Sequence, residues 1–181
     1  MRRLRLCAAS IIVGMAALAT PSTGAAQCTV NGVPGTCNQP GSVSITAGRV
    51  IRLQVSAGST ALSAPTPTDF DAGFNSTTGP SLTVSANAAW TLHVRASSAL
   101  WTATNTSPGA PARTTKPAAD LKWSTGSNGT FNALTTTDAL LVGGSATASN
   151  ATTLYFQTLY NWTLDTPGNY SLAVILTLTS P

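Results

Sequence analysis

Apolar and polar residues alternate along much of this chain with a period of two. In the segment that ends it, one set of alternate positions carries Tyr170, Leu172, Val174, Leu176 and Leu178. Successive side chains of a strand point to opposite faces, so the pattern predicts a strand with one core face and one mostly polar face. Pro167 and Gly168 predict a tight turn at its start.

Two internal segments show the same alternation and carry much of the aromatic content. In the first, Trp90, Leu92 and Val94 share a face, and His93 lies on the other. In the second, the shared face is Leu154, Phe156, Tyr160, Trp162 and Leu164. We expect these faces and the closing strand to fill one core between two sheets packed about 10 Å apart.

Between the ends, short alternating segments are separated by loops rich in Gly, Pro, Ser and Asn, and no segment shows a long helical repeat. The candidate strands are residues 42–47, 49–56, 81–86, 88–96, 100–104, 121–124, 130–134, 139–142, 152–164 and 169–179. This arrangement predicts an all-β fold, an Ig-like antiparallel β-sandwich of about seven to ten strands.

The start of the chain predicts export. Arg2, Arg3 and Arg5 precede an apolar run over residues 6–19 and a small-residue stretch that ends at Ala26. These are the marks of a cleaved secretory signal peptide over residues 1–26; an uncleaved anchor is the alternative. A single domain over residues 27–181 is then expected in the periplasm, at the cell surface or outside the cell, with no membrane association after cleavage.

The charge of the mature chain argues against a nucleic-acid partner. The whole chain has a formal net charge of +4, but three arginines lie in the signal segment, which leaves six basic residues against five acidic ones. A nucleic-acid binder presents a basic patch, whereas these basic residues are scattered.

Cys28 and Cys37 remain after cleavage and enclose the turn-forming pairs Asn31-Gly32 and Pro34-Gly35. An even pair in an oxidising compartment predicts a disulfide. A lipid anchor on Cys28 and a metal site are the alternatives. Ala26-Gln27 is a poor match to a lipobox, and no second cysteine pair or histidine cluster supports a metal.

The sequence contains few side chains that could serve in catalysis. His93 is the only histidine and is expected at the surface, on the strand face opposite Trp90. The sequence contains no nucleophile motif for which it could act as the general base. We therefore expect a protein that is not an enzyme and needs no cofactor.

Asp69, Asp71 and Gly73 form a pattern that can wrap calcium. The distal glutamate of a calcium loop is missing, so a turn in which the Asp side chains cap backbone N–H groups is the preferred interpretation.

Trp101 and Trp123 are the candidates for stacking against a sugar, because each adjoins polar or loop residues. Burial in the core is the commoner fate of such rings. A carbohydrate- or surface-binding module that uses exposed aromatic residues is thus the alternative function.

Pro167-Gly168-Asn169-Tyr170 and the alternating residues after it resemble the C-terminal strand of chaperone–usher pilins and spore-coat-protein-U-like proteins. Gly168 occupies the fourteenth position from the C-terminus, where pilins have a glycine. Ser180 stands where pilins have an aromatic residue, and the mature N-terminus lacks their alternating apolar extension. We expect the closing strand to complete its own domain.

The resemblance implies a secreted bacterial structural or surface protein, a subunit of an extracellular assembly, a pilus-like fibre or a coat. The expected partners are further copies of the chain or other surface proteins, with glycans as the partner in the alternative function.

Overall fold

A computed structural model describes residues 43–105 and 111–181. The chain divides into two compact units, Met1–Thr46 and Ala47–Pro181. In the first unit, residues 43–46 are exposed and form no strand. Every strand described below belongs to the second unit.

The second unit is built from antiparallel strands, which confirms the predicted all-β class. In chain order its elements are β1 Ile51–Val55, α1 Pro67–Ala72, β2 Phe74–Ala86, β3 Trp90–Ala96, β4 Thr102–Asn105, a 3₁₀ turn Ala118–Asp120, β5 Leu121–Ser124, β6 Asn132–Ala133, β7 Ala139–Gly144, β8 Thr147–Leu159, β9 Gly168–Ser171 and β10 Val174–Thr179.

The strands form three sheets. A five-stranded sheet has the order β1-β2-β8-β5-β6, a three-stranded sheet the order β10-β3-β7, and β4 pairs with β9. The two longest strands, β2 and β8, lie side by side and form the centre of the largest sheet.

One hydrophobic core takes residues from both larger sheets. Leu82, Val84, Leu154 and Phe156 come from β2 and β8, and the neighbouring core residues of β3 and β7 include Leu92, Val94 and Leu141. Along β3, buried and half-buried positions alternate as predicted, with Trp90, Leu92 and Val94 inside. Trp90 Nε1 donates to the backbone oxygen of Ser145 at 2.9 Å, which satisfies its one polar group.

Several predicted strand bounds are wrong. Residues 43–47 form no strand, and the strand expected over residues 152–164 is displaced toward the N-terminus and ends at Leu159. Trp162 and Leu164 therefore lie beyond it and are exposed, not in the core. The closing segment is two strands, because β9 pairs with β4 whereas β10 pairs with β3.

Candidate functional site

The structure buries both tryptophans that the sequence offers as sugar-stacking residues. Trp101 is 6% exposed and donates from Nε1 to the backbone oxygen of Pro117 at 3.1 Å. Trp123 is 5% exposed, and its Nε1 has no hydrogen-bond partner among the described residues. Neither ring offers a face to a ligand, so the two positions belong to the core and do not form a stacking platform.

Asp69 and Asp71 lie on α1 and take part in local structure. Asp69 forms a capping box with Thr66: its Oδ2 accepts from the Thr66 N–H at 2.7 Å, and the Thr66 hydroxyl accepts from the Asp69 N–H. Hydrogen bonds from Thr66 hold the pKa of Asp69 below its usual value. Gly73 ends the helix at a φ of 79°, a conformation that glycine adopts without strain.

Asp71 accepts from Trp162 Nε1 at 3.0 Å. Across residues 43–105 and 111–181, no three His, Cys, Asp or Glu side chains gather closely enough to hold a metal ion. His93 lies on β3 opposite Thr177 and beside Leu140, and Cys28 and Cys37 lie outside the described residues.

The outer side of β10 is an open sheet edge. Within the described part of the chain, β10 pairs with β3 alone. The Ser97 N–H donates to Ala173 O at 2.9 Å, so these two residues form a hydrogen-bonded pair. Along an antiparallel ladder, hydrogen-bonded and non-hydrogen-bonded residue pairs alternate. The alternation places Val174, Leu176 and Leu178 in non-bonded pairs with β3. Their N–H and C=O groups therefore point away from β3, toward the open edge.

The core-facing residues of this edge strand are incompletely covered. Leu92 and Val94 of β3 are 0% exposed, whereas Leu178 and Leu176, their partners on β10, are only half-buried although they pack on the same core. β1, at the edge of the other large sheet, lies near β10 without pairing to it. Along β10, partly exposed apolar side chains and outward-pointing backbone groups are thus available for contact with a further strand.

In the first unit, Val43 and Ile45 are almost fully exposed apolar residues at alternate positions. The residues between and after them, Ser44 and Thr46, are polar. This is the pattern of a strand that has one apolar face.

Four charged side chains bond to one another and form an ion cluster: Arg113, Lys116, Asp120 and Asp165. Lys116 is 2% exposed, and its Nζ donates to Asp165 at 2.9 Å, to Asp120 at 3.3 Å and to the backbone oxygen of Leu159 at 2.8 Å. Arg113 bonds the same two carboxylates, at 3.0 Å to Asp165 and 3.2 Å to Asp120. Two cations therefore face two anions, and every donor proton of the buried ammonium has an acceptor.

Asp165 connects this ion cluster to the surface. Its side chain is 5% exposed, and burial raises its pKa, but the hydrogen bonds from Lys116 and Arg113 outweigh burial and hold the pKa below the usual value. Its second oxygen accepts from the Asn161 N–H at 2.8 Å, and Asn161 Oδ1 in turn accepts from the Thr163 N–H at 2.9 Å. Asp165 thus connects the turn over residues 161–165 to the ion cluster.

Three aromatic rings lie together: Phe70 on α1, Tyr160 just before that turn and Trp162 within it. The Phe70 and Trp162 rings stack with centroids 4.6 Å apart and planes 28° apart, and the Phe70 and Tyr160 rings lie 5.3 Å apart. Trp162 is 60% exposed. The inner side of Tyr160 faces the ion cluster, with Lys116 Nζ 5.4 Å from its centroid, and burial followed by the charge of Asp69 raises the pKa of its hydroxyl. We call Phe70, Tyr160 and Trp162 the aromatic surface.

Neither the ion cluster nor the aromatic surface is among the predictions from the sequence. Thr66-Pro67 followed by Asp69 and Gly73 is a start-and-stop signal for a short helix, and it would have placed α1. Nothing local indicates that Asp165 meets Lys116, since 49 residues separate them.

Comparison of the chain with models of known protein families gives no match, and comparison with curated proteins gives none either. In the described residues the one α-helix has six residues, so no helix there has the length and apolar character to cross a membrane.

Proposed function

We propose that this chain is an exported, non-catalytic structural protein that assembles with further copies of itself outside the cytoplasm. Export is supported by the signal-like segment at residues 1–26. The assembly is supported by the open edge of β10, the observation that carries the proposal.

An Ig-like β-sandwich is the architecture we infer for the second unit. Two antiparallel sheets contribute to one core, as in such domains. Tyr170 supports it further: its hydroxyl donates to Thr166 O at 2.7 Å, four residues upstream, and accepts from the Arg113 N–H at 2.9 Å. A tyrosine bonded back to the nearby backbone at a strand corner is typical of these sandwiches.

The edge of β10 has the properties of a strand that another chain can extend. Its sequence, Val-Ile-Leu-Thr-Leu-Thr, has no charge and no proline, the residues with which proteins protect exposed edges. Its outward N–H and C=O groups can pair with an added strand, and an apolar residue on that strand can cover the half-buried side chains of Leu176 and Leu178.

The strand we propose for this position is residues 43–47 of a second copy. Val43 and Ile45 have the spacing of one strand face and are exposed, so pairing with β10 of a neighbour would bury apolar area at both partners. Each copy then offers one strand and one edge, formed by different residues, and such a head-to-tail contact generates a chain of subunits.

Sedimentation velocity on the exported protein over a range of concentrations tests this proposal. We expect oligomers or filaments whose size grows with concentration, and a monomer in the Val43→Asp/Ile45→Asp double variant. Both replaced side chains are exposed in the isolated chain, so the melting temperature should stay unchanged while a charge would enter the neighbour's core.

The matched control is Ser44→Asp/Thr46→Asp, which adds the same charge to the other face of the same segment. It should retain most of the assembly. A wild-type protein that stays monomeric at every concentration, or equal losses in the two double variants, would contradict the proposal.

A further inference from the structure

Two contacts restrict the conformation of Trp162, the exposed ring of the aromatic surface. The stack on Phe70 covers one face of Trp162, and the bond from Nε1 to Asp71 fixes the rotation of the indole. The turn that carries Trp162 is tied to Asp165, which the buried ion cluster holds. A side chain with 60% exposure that is fixed in this way offers a flat face with little conformational entropy left to lose on binding.

The arrangement of the rings decides between two ligand classes that bind aromatic side chains. Proteins that recognise a quaternary ammonium typically surround it with several rings that form a cage around a gap. Phe70 and Trp162 are stacked, with centroids 4.6 Å and planes 28° apart, and leave no gap between them. The surface is a platform, and a platform suits a flat ligand with an apolar face, such as the C–H face of a pyranose ring.

Charge narrows the ligand further. Two carboxylates of α1 lie beside the rings: Asp71 accepts from Trp162 Nε1, and the charge of Asp69 acts on Tyr160. Lys116 and Arg113 are less exposed, and both form ion pairs with Asp165 and Asp120. An anionic ligand would meet repulsion here, whereas the hydroxyl groups of a neutral sugar can donate to carboxylate and amide oxygens.

We propose that Trp162, supported by Phe70 and Asp71, is a binding site for a neutral polysaccharide, with the exposed indole face stacked on a pyranose ring. The site is independent of the β10 edge, so a protein that fails to assemble can still bind the sugar.

The test is titration of the exported protein with cellohexaose, mannohexaose and chitohexaose, followed by tryptophan fluorescence and by calorimetry. We expect at least one of these to bind, and Trp162→Ala to bind it at least about tenfold more weakly, the effect of losing about 1.4 kcal/mol of stacking. Trp162→Tyr, which keeps a flat ring, should recover most of the affinity. Leu164→Ala is the matched control, an exposed apolar residue of the same turn that should leave binding unchanged.

Three results would overturn the proposal: no binding of any of the three oligosaccharides, equal binding by wild type and Trp162→Ala, or preference for the sulfated polysaccharide heparin. Loss of self-association in Trp162→Ala would instead identify the surface as a contact between copies, which also overturns it. Because Trp162 is exposed, we expect Trp162→Ala to keep the fold. An unchanged melting temperature of the variant would verify this.

Discussion

Asp165 links the interior of the molecule to its surface. One of its oxygens accepts from the buried Lys116 and the partly buried Arg113, and the other fixes the turn that carries Trp162. Exposed ion pairs contribute little to stability, but removal of one partner from a buried pair leaves a charge without compensation. The free energy of unfolding should therefore depend more on Asp165 than on an exposed acid such as Asp138, whose side chain is half exposed beside Arg95.

Asp165 should make the protein sensitive to acid. Its pKa in the folded state lies below the value of about 3.9 that an unfolded Asp has, so the unfolded chain binds the proton more readily. The stabilisation is complete above that value and is lost as the pH falls through the lower, folded pKa. Urea unfolding should therefore show the free energy of unfolding falling below about pH 4.

The variant Asp165→Asn tests the assignment of this effect. It should lower the free energy of unfolding at pH 7 by about 3 kcal/mol and flatten the acid dependence, while Asp138→Asn should cost less than about 1 kcal/mol and leave the dependence intact. An acid dependence as steep in Asp165→Asn as in the wild type would show that other groups cause it.

At the residue scale, the sequence could identify aromatic side chains but not their burial. Trp101, Trp123 and Trp162 each have a polar neighbour in the sequence, yet two are in the core and one is exposed. The difference comes from where strands end: β8 stops at Leu159, so the alternation that predicts a core position for Trp162 no longer applies. Strand ends depend on partner strands, which a local pattern does not contain.

Among the elements, the pairing of β9 with β4 explains why residue 168 is a glycine. Gly168 is the residue on which the resemblance to pilins in the sequence is based. A Cβ atom at Gly168 would lie 2.7 Å from Ala112 Cβ and 3.0 Å from the backbone oxygen of Thr104, so the pairing of β9 with β4 requires the absence of a side chain. Gly168→Ala should lower the free energy of unfolding by about 1–3 kcal/mol through overpacking.

Gly58→Ala is the control for this substitution, since no atom lies within 4 Å of its Cβ position. It should change the free energy of unfolding by no more than about 0.5 kcal/mol, as surface substitutions usually do. Thermal unfolding of the two variants measures the difference, and equal stabilities would refute the steric explanation.

The elements with clear alternation were the predictable ones. The face assigned to β3 is confirmed because buried and half-buried residues there follow the period of two. α1 was missed because a six-residue helix is too short to show a helical repeat. The closing segment was predicted as one strand, but its halves pair with β4 and β3, a division made by long-range contacts rather than by residue types.

For the molecule as a whole, the sequence could predict the all-β class but not that β10 lies at the edge of its sheet. Which strands lie at the margins of a sheet is set by the order in which distant segments pair. The sequence predicted a closing strand that completes its own domain, whereas in the described residues β10 has a partner on one side only. The proposed assembly rests on this edge, because an added strand can pair with its backbone groups and cover its half-buried leucines.

Amide hydrogen exchange along β10 tests this central claim most directly. In dilute monomer, the N–H groups of Val174, Leu176 and Leu178 should exchange quickly, and those of Ile175 and Thr177, which face β3, should be protected. In assembled protein, the first three should become protected as well, and the change should be absent in Val43→Asp/Ile45→Asp. Protection of Val174, Leu176 and Leu178 already in the monomer, or their continued rapid exchange after assembly, would contradict strand addition at this edge.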